Sequence, residues 1–183
     1  MPRTPPQDPP RSTLVVVRHG DAGEPVADPA RDGKRALSEK GRKQARRAGR
    51  ALARLELLPR DVWTSHLVRA VETAAVARAE AGSPAPVVES DAAGPDALPE
   101  RLARALRDTP PPDGEGPLVR WVVGHEPHLS RLLGYLVGAP AGAFDVRKGA
   151  VAVVSCDGRG PVAGACRLEL LAGPDAVRAI ARR

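Results

Sequence analysis

Short apolar runs alternate with amphipathic segments along most of the chain. Residues 14–17 (LVVV) form an uninterrupted β-branched run, which is typical of a central strand buried on both faces. Residues 61–65 and 118–123 predict two more strands, and residues 84–88 can form another. Because helical patterns separate these runs, the order indicates an α/β domain with a mostly parallel sheet covered on both faces.

Apolar residues spaced three and four apart predict the intervening helices. The clearest stripe is Ala45, Ala48, Leu52 and Leu55, in a helix that starts after Ser38, a suitable N-cap, and continues to about residue 57. The expected fold is therefore a three-layer α/β/α sandwich. Further helices are expected at about residues 67–81, 98–107 and 129–137, and two final strands, residues 150–156 and 165–171, pair around a turn.

Length and composition indicate one folded domain. Five prolines among the first ten of 183 residues predict a disordered arm over residues 1–12, followed by a single domain over residues 13–183. No segment has the roughly 18 apolar residues of a membrane span, and the N-terminus lacks a signal-peptide pattern, so a cytoplasmic protein without a membrane partner is expected. Cys156 and Cys166 could approach each other on neighbouring strands, but free thiols are the favoured interpretation.

The charge is strongly basic, with a net charge of +6 and a pI of about 10.1. Arg42, Arg46, Arg50 and Arg54 recur one turn apart on one predicted helix face. This row could contact nucleic acid or an acidic protein, or it could be a solvated helix face, which is the more common case. A nucleic-acid partner is therefore not favoured.

Polar residues follow three of the predicted strands. Arg18 and His19 end the first, the second leads through Ser65 to Arg69, and His125 ends the strand at 118–123. Ligands of such sheets bind outside the carboxyl ends of the strands, so these side chains should meet. Two guanidiniums suit a phosphoryl group, a neutral histidine can attack phosphorus, and a second histidine can donate a hydrogen bond.

Other phosphoryl-transfer motifs are missing from the sequence. It contains no Cys-x5-Arg loop, no P-loop and no Asp-rich metal cluster. His125 and His128 have a metal-like spacing but no third ligand nearby, so a zinc site is not favoured. Phosphoryl transfer through a covalent phosphohistidine, with no metal and no other cofactor, is the economical interpretation.

Four segments, in order across residues 14–132, resemble the histidine phosphatase (phosphoglycerate mutase-like) superfamily, branch 1. They are VVVRHGDA, RALSEKGRKQA, TSHLVRAVETA and VVGHEPHLS. The resemblance implies a phosphoglycerate mutase-like fold, His19 as the phosphorylated nucleophile, and Arg18, Arg69 and His125 as phosphoryl-binding catalytic residues. The Arg-x-Leu-Ser block adds Arg35 as a candidate substrate-binding residue.

Within that superfamily the sequence is most similar to SixA-type phosphohistidine phosphatases. Only residues 82–117 separate the arginine helix from the second-histidine strand, whereas mutases have a long lid there, so an open site is expected. A phosphohistidine carrier or receiver protein is the implied substrate. No carboxylate clearly matches the mutase acid; Asp21 and Glu126 are weak candidates. The alternatives are a small-molecule or nucleotide phosphomonoesterase, and a weakly active phosphate-binding module with a basic docking face.

Two residues depart from the family pattern near Arg69. Glu72 stands where the family usually has Gln, and it could hold Arg69 or weaken the positive field of the pocket. His66 replaces the usual Pro, Asp or Asn, and it could line the site or lie on the surface.

Overall fold

A computed structural model describes residues 11–114, 116–140, 142–158 and 160–182. Residues 1–10 of the expected arm lie outside the described residues, and Ser12 already belongs to the first strand. The strands are β1 (Ser12–Arg18), β2 (Asp61–Thr64), β3 (Val87–Glu89), β4 (Leu118–Gly124), β5 (Val151–Cys156) and β6 (Cys166–Ala172). The helices are α1 (Pro29–Gly33), α2 (Glu39–Arg54), α3 (Val68–Glu80), α4 (Pro99–Asp108), α5 (His128–Val137) and α6 (Pro174–Ile180), with a 3-10 turn at Asp91–Ala93.

The six strands form one sheet in the order β3-β2-β4-β1-β5-β6. The pairs β1–β4, β2–β4 and β2–β3 are parallel, whereas β5 is antiparallel to β1 and β6 is antiparallel to β5. The predicted mostly parallel sheet is confirmed. The carboxyl ends of β1, β2 and β4 therefore meet at one edge, and the segment that leads into β5 lies at that same edge.

Alternate residues of the central strands are buried in two separate cores. Val15 and Val17 face the layer of α2, α3 and α6, and Leu14 and Val16 face the layer of α4 and α5. All four side chains are almost inaccessible to solvent. A continuous apolar run is what a strand between two helical layers requires. The predicted three-layer sandwich is confirmed.

Local side-chain and backbone features set where α2 begins and ends. The Ser38 side chain accepts a hydrogen bond from the Gly41 backbone N–H and begins α2, as predicted. The helix ends at Arg54, before residue 57, because Glu56 adopts a left-handed conformation with φ of 57°. Helices α1 and α6 were not predicted; with five and seven residues they are too short for an apolar period to be detected.

The expectation of free thiols is wrong. Cys156 and Cys166 lie directly opposite each other in the β5–β6 register, with Cα atoms 4.4 Å apart, and the structure joins them in a disulfide. Strand register brought the two sulfur atoms together, and the sequence alone did not specify that register. Among the described residues, no helix is both long and apolar enough to cross a membrane.

Candidate active site

The turn after β1 is fixed by two glycines that touch. A Cβ atom at Gly20 would lie 2.6 Å from the Gly41 carbonyl oxygen, and one at Gly41 would overlap the Asp21 carbonyl oxygen. Only residues without a side chain allow the first turn of α2 to approach the β1 turn this closely. Thr73 on α3 also holds this turn, since its Oγ1 accepts from the Gly20 N–H at 3.1 Å and donates to the Arg69 carbonyl at 2.7 Å.

His19 is held in a single tautomer. Its Nδ1 lies 2.7 Å from the Gly20 carbonyl oxygen, which can only accept, so Nδ1 carries the proton. Nε2 therefore keeps its lone pair. Burial, the largest cause, together with the charges of Arg69, Arg18 and Lys148, lowers the pKa of His19 to about 4, although the Gly20 hydrogen bond opposes the shift. The ring is neutral at pH 7.

His125 lies directly beside His19, with ring centroids 4.9 Å apart. Its Nε2 is 2.7 Å from the Ser65 Oγ, and its Nδ1 is buried without a hydrogen-bond partner among the described residues. Burial is again the main cause that lowers the pKa of His125, here to about 2, and the charges of His19 and Arg69 add to it. The second imidazole is also neutral at pH 7.

Arg18 and Arg69 are anchored to the backbone around the pocket. Arg18 donates from Nη1 to the Val146 carbonyl at 2.9 Å. Arg69 donates from Nη1 to the Asp32 carbonyl at 2.8 Å, and the same nitrogen lies 3.2 Å from the Asp32 carboxylate. Burial lowers the pKa of Arg69 against the attraction of Asp32, but a guanidinium remains charged at neutral pH.

Three buried donors of the pocket lack partners among the described residues. They are the Nε atoms of Arg18 and Arg69 and the Nδ1 of His125. Orphaned polar atoms also occur elsewhere, on Thr64, Arg78, Glu126 and His128, so being orphaned is not unique to this site. At this site, however, the atoms without partners belong to two guanidiniums and a histidine at one edge of the sheet. An oxyanion would supply the acceptors that these groups lack.

Arg35 lies between α1 and the loop after β1. Its Nε donates to the Asp32 carboxylate at 2.7 Å, and its Nη1 donates to the carbonyls of Ala22 and Gly23 at 2.8 Å and 3.2 Å. These bonds fasten the loop after β1 to α1. The role of Arg35 as a substrate ligand stays a prediction.

The two candidate acids have different surroundings. Asp21 accepts from the Ser38 hydroxyl at 2.7 Å and lies 3.2 Å from the Lys148 ammonium. These groups, Ser38 above all, lower the pKa of Asp21 to about 2, so it is ionised at pH 7. One carboxyl oxygen of Glu126 lies 2.6 Å from the Ser130 hydroxyl, which is also 2.9 Å from the Phe144 carbonyl oxygen, and the other is buried without a partner among the described residues.

The structure shows the contacts of Glu72 and His66, the two residues that depart from the family pattern. Glu72 accepts from the Leu37 N–H at 2.7 Å and from Arg42 at 3.0 Å, so it joins α3 to the start of α2, and Asp32 holds Arg69 instead. The His66 side chain is 55% exposed and lies between the carboxylates of Glu89 and Asp91, at the surface.

The metal-like spacing of His125 and His128 does not produce a shared site. The His128 side chain is fully buried within α5, where burial lowers its pKa to about 4. Across the described ranges, no group of three or more His, Cys, Asp or Glu side chains is arranged to hold a metal ion.

Sequence reasoning missed three residues that shape the pocket. Ser65 holds the His125 ring, Asp32 anchors Arg69, and Lys148 acts electrostatically on His19. Ser65 could have been found, because it directly follows β2 at the ligand-binding edge. Lys148 could also have been found had β5 been taken as antiparallel, because an antiparallel strand begins where its parallel neighbours end.

Comparison with known protein families gives a partial match. Residues 14–93, which include His19 and Arg69 but not His125, match the sequence model of the histidine phosphatase superfamily (branch 1). A 2,3-bisphosphoglycerate-dependent phosphoglycerate mutase from Thermobifida fusca (strain YX) is 45% identical over 80 residues, 39% of this chain. The match covers 29% of the mutase, so the chain spans less than a third of that relative's length.

Solved structures share the whole fold. The protein histidine phosphatase SixA complexed with tungstate aligns with a TM-score of 0.73 and 21% identity, covering 89% of this chain and 97% of that one. A mycobacterial glucosyl-3-phosphoglycerate phosphatase aligns with a TM-score of 0.63 and 18% identity, covering 89% of this chain and 99% of that one. These likenesses establish a phosphoglycerate mutase-like α/β architecture.

Proposed function

We propose that this chain, whose residues 14–93 match the histidine phosphatase superfamily (branch 1), is a phosphatase that forms a covalent phosphohistidine on His19. We further propose that its substrate is phosphohistidine carried by another protein. The observation that carries the first proposal is the free Nε2 lone pair of a neutral His19 beside buried donors of Arg18, Arg69 and His125 that lack partners among the described residues.

The first step is attack by Nε2 of His19 on phosphorus. A bond forms between Nε2 and phosphorus while the bond from phosphorus to the leaving group breaks, and the leaving group takes the electron pair. The guanidiniums of Arg18 and Arg69 neutralise the equatorial oxygens. When the Ser65 hydroxyl donates to Nε2 of His125, the proton of that ring resides on Nδ1, which then donates to the same oxygens.

The second step is hydrolysis of the phosphoenzyme. Water attacks phosphorus, the bond between phosphorus and Nε2 breaks, and the pair returns to His19 while the proton of water leaves to solvent or phosphate. His19 ends neutral, with Nδ1 still bonded to Gly20. The same guanidiniums stabilise both transition states, because the charge on the phosphoryl oxygens is similar in each.

The state of the carboxylates favours a phosphoramidate substrate. An alkoxide leaving group needs a proton, but Asp21, one of the two candidate acids, is ionised. A phosphorylated imidazole that already carries a proton on its far nitrogen leaves as neutral imidazole and needs no acid. The chemistry therefore suits phosphohistidine better than an alkyl phosphate.

The segment that forms a lid in mutases is used differently in this chain. Between residues 82 and 117 the described elements are β3, the 3-10 turn and α4. Leu102, Ala103 and Leu106 of α4 are buried in the core next to α5, so this helix packs against one face of the sheet. This packing supports an open pocket that can admit a side chain presented by a second protein.

A small-molecule phosphomonoesterase is the second candidate. The similarity to a phosphoglycerate mutase over 80 residues and the shared fold of a glucosyl-3-phosphoglycerate phosphatase both support it. Such an enzyme needs a proton donor, and because Asp21 is ionised, Glu126 is the remaining candidate. A weakly active phosphate-binding module is the third possibility.

A substrate panel with EDTA present distinguishes these functions. We expect kcat/KM for a phosphohistidine peptide to exceed that for an alkyl phosphate by about tenfold or more, since a general acid contributes roughly 10²–10⁴ in rate and is needed only by the ester. A kcat/KM for the alkyl phosphate about tenfold higher than that for the phosphohistidine peptide would favour the small-molecule enzyme. Phosphate binding without any turnover would leave only the binding module, and dependence on a metal would contradict the proposed chemistry.

A further inference from the structure

A positively charged groove begins at the pocket and runs away from it. Its first part, about 460 Å³, lies between α2 and the segment before β5, and Arg18 and Lys148 line it. Arg18 directly precedes His19 in the chain, and Lys148 also acts electrostatically on His19. The groove therefore shares Arg18 with the candidate site. The other residues of the first part are Lys40, Gln44, Arg47, Arg147, Pro174 and Asp175.

A second cleft, about 250 Å³, continues the groove between α2 and α6. Arg47 lines both parts, which makes them one surface. From Lys40 to Arg50 the groove follows ten residues of helix, which is about 15 Å at 1.5 Å per residue. That length exceeds a single phosphoryl group. The cleft is lined by Lys43, Arg46, Arg47, Arg50, Arg178, Ala181 and Arg182.

Some of these cations already have acidic partners. Lys43 pairs with Glu39, Arg50 with Glu80 and Arg178 with Asp175. Others form no ion pair and no side-chain hydrogen bond with any described residue, and they give the surface its excess positive charge. We call this unpaired set the basic groove: Lys40, Arg46, Arg47, Arg147 and Arg182.

We propose that the basic groove docks an acidic surface of the protein that presents the phosphoryl group to His19. This inference rests on the proposed function. An acidic side chain on the partner can pair with each free guanidinium while the phosphorylated side chain reaches the pocket through Arg18 and Lys148.

The lining favours a protein over a nucleic acid. No aromatic side chain lines either part, so bases would have no stacking surface. Trp63 and Trp121 are buried in the two cores. Carboxylates of Glu39, Glu80 and Asp175 stand among the cations, and basic side chains of a mostly acidic protein surface can pair with them, whereas a phosphate backbone carries only negative charge.

The test compares two synthetic phosphohistidine peptides of equal length, one with Glu and Asp around the phosphohistidine and one with Gln and Asn. The groove variant combines Arg46→Glu and Arg47→Glu. The control variant combines Arg101→Glu and Arg104→Glu on the exposed face of α4, which changes the net charge by the same amount. Thermal unfolding verifies both folds, and p-nitrophenyl phosphate measures the basal activity.

We expect the groove variant to raise KM for the acidic peptide by about tenfold and to leave kcat unchanged, because docking charges act on encounter and binding. The control variant, the neutral peptide and p-nitrophenyl phosphate should show less than a twofold change. High salt should weaken the preference of the unmodified protein for the acidic peptide.

Three outcomes would overturn the docking proposal. The unmodified protein could have the same KM for both peptides, or both variants could raise KM equally. The groove variant could also lose affinity only for a DNA duplex, which would assign the surface to nucleic acid. Binding of the unphosphorylated acidic peptide, measured by fluorescence anisotropy, decides docking separately from turnover. A failure of the proposed phosphatase activity is thereby distinguished from a failure of the docking surface.

Discussion

His19 and His125 occupy matching positions at the ends of two hydrogen-bonded parallel strands. Arg18 pairs with Gly124 as the last register pair of β1 and β4, and the His19 N–H donates to the Gly124 carbonyl at 3.0 Å. The next residue on each strand is a histidine, so the register sets the two rings 4.9 Å apart. The sheet itself therefore aligns the proposed nucleophile, His19, with His125.

Substitution of His19 should reduce activity more than substitution of His125 or Arg69. His19→Ala removes the covalent route and should abolish turnover. His125→Ala and Arg69→Ala each remove donors to the phosphoryl oxygens and should lower kcat by about 10²–10³ while leaving measurable activity. Steady-state kinetics with p-nitrophenyl phosphate tests this difference, and an active His19→Ala protein would refute it.

The pH at which the enzyme loses activity on acidification should be unusually low. Attack requires neutral His19, and burial together with the nearby cations lowers the pKa of that ring to about 4. Neutral His19 is lost only as the pH falls through about 4, so activity should persist at pH 5. The pH dependence of kcat/KM is measured with two phosphate esters that ionise at different pH values. A loss of activity at the same pH with both esters then belongs to the enzyme and not to the substrate. Such a loss near the ordinary pKa of 6.5 would contradict the described environment of His19.

Sequence patterns were sufficient for the fold and for the placement of the main candidate residues at one edge of the sheet. The run at residues 14–17 predicted a strand between two layers, and the carboxyl-end rule placed Arg18, His19, Arg69 and His125 at one edge. These predictions succeeded because they depend on burial and strand direction, which leave periodic signals in a sequence.

Features that depend on register or on very short elements were missed. The Cys156–Cys166 disulfide follows from the β5–β6 register, and Asp32 belongs to α1, a helix of five residues without a buried face. The ligand role that the resemblance implies for Arg35 stays a prediction, and the bonds of Arg35 to Asp32 and to the loop after β1 were not foreseen. No periodic pattern reports such pairwise contacts.

Gly41→Ala should damage both stability and activity. Its new methyl group would overlap the Asp21 carbonyl and push the β1 turn away from α2. Overpacking of this kind costs about 1–3 kcal/mol. Chemical unfolding and kcat/KM should both show the loss. Gly33→Ala is the matched control, because its methyl group would meet only the Leu67 side chain at 3.4 Å, an ordinary contact; equal losses in the two variants would contradict the argument.

His128 should make the protein less stable in mild acid. Burial, with a smaller contribution from Arg131, lowers the pKa of His128 to about 4, whereas the unfolded chain binds a proton near 6.5. The unfolded state therefore holds more protons between these values, so the free energy of unfolding decreases as the pH falls from about 6.5 to about 4. The shift corresponds to roughly 3 kcal/mol. Urea unfolding at several pH values should show a flatter dependence for His128→Leu than for the unmodified protein; an unchanged slope would contradict this.

The most direct test of the account is detection of the phosphorylated protein. The protein is mixed with p-nitrophenyl phosphate, quenched in alkaline denaturant within a turnover, and analysed by mass spectrometry, because phosphohistidine survives alkali and is lost in acid. We expect an alkali-stable, acid-labile phosphate on His19 that is absent from His19→Ala. Phosphate on another residue, or rapid turnover in which the protein never carries phosphate, would contradict it.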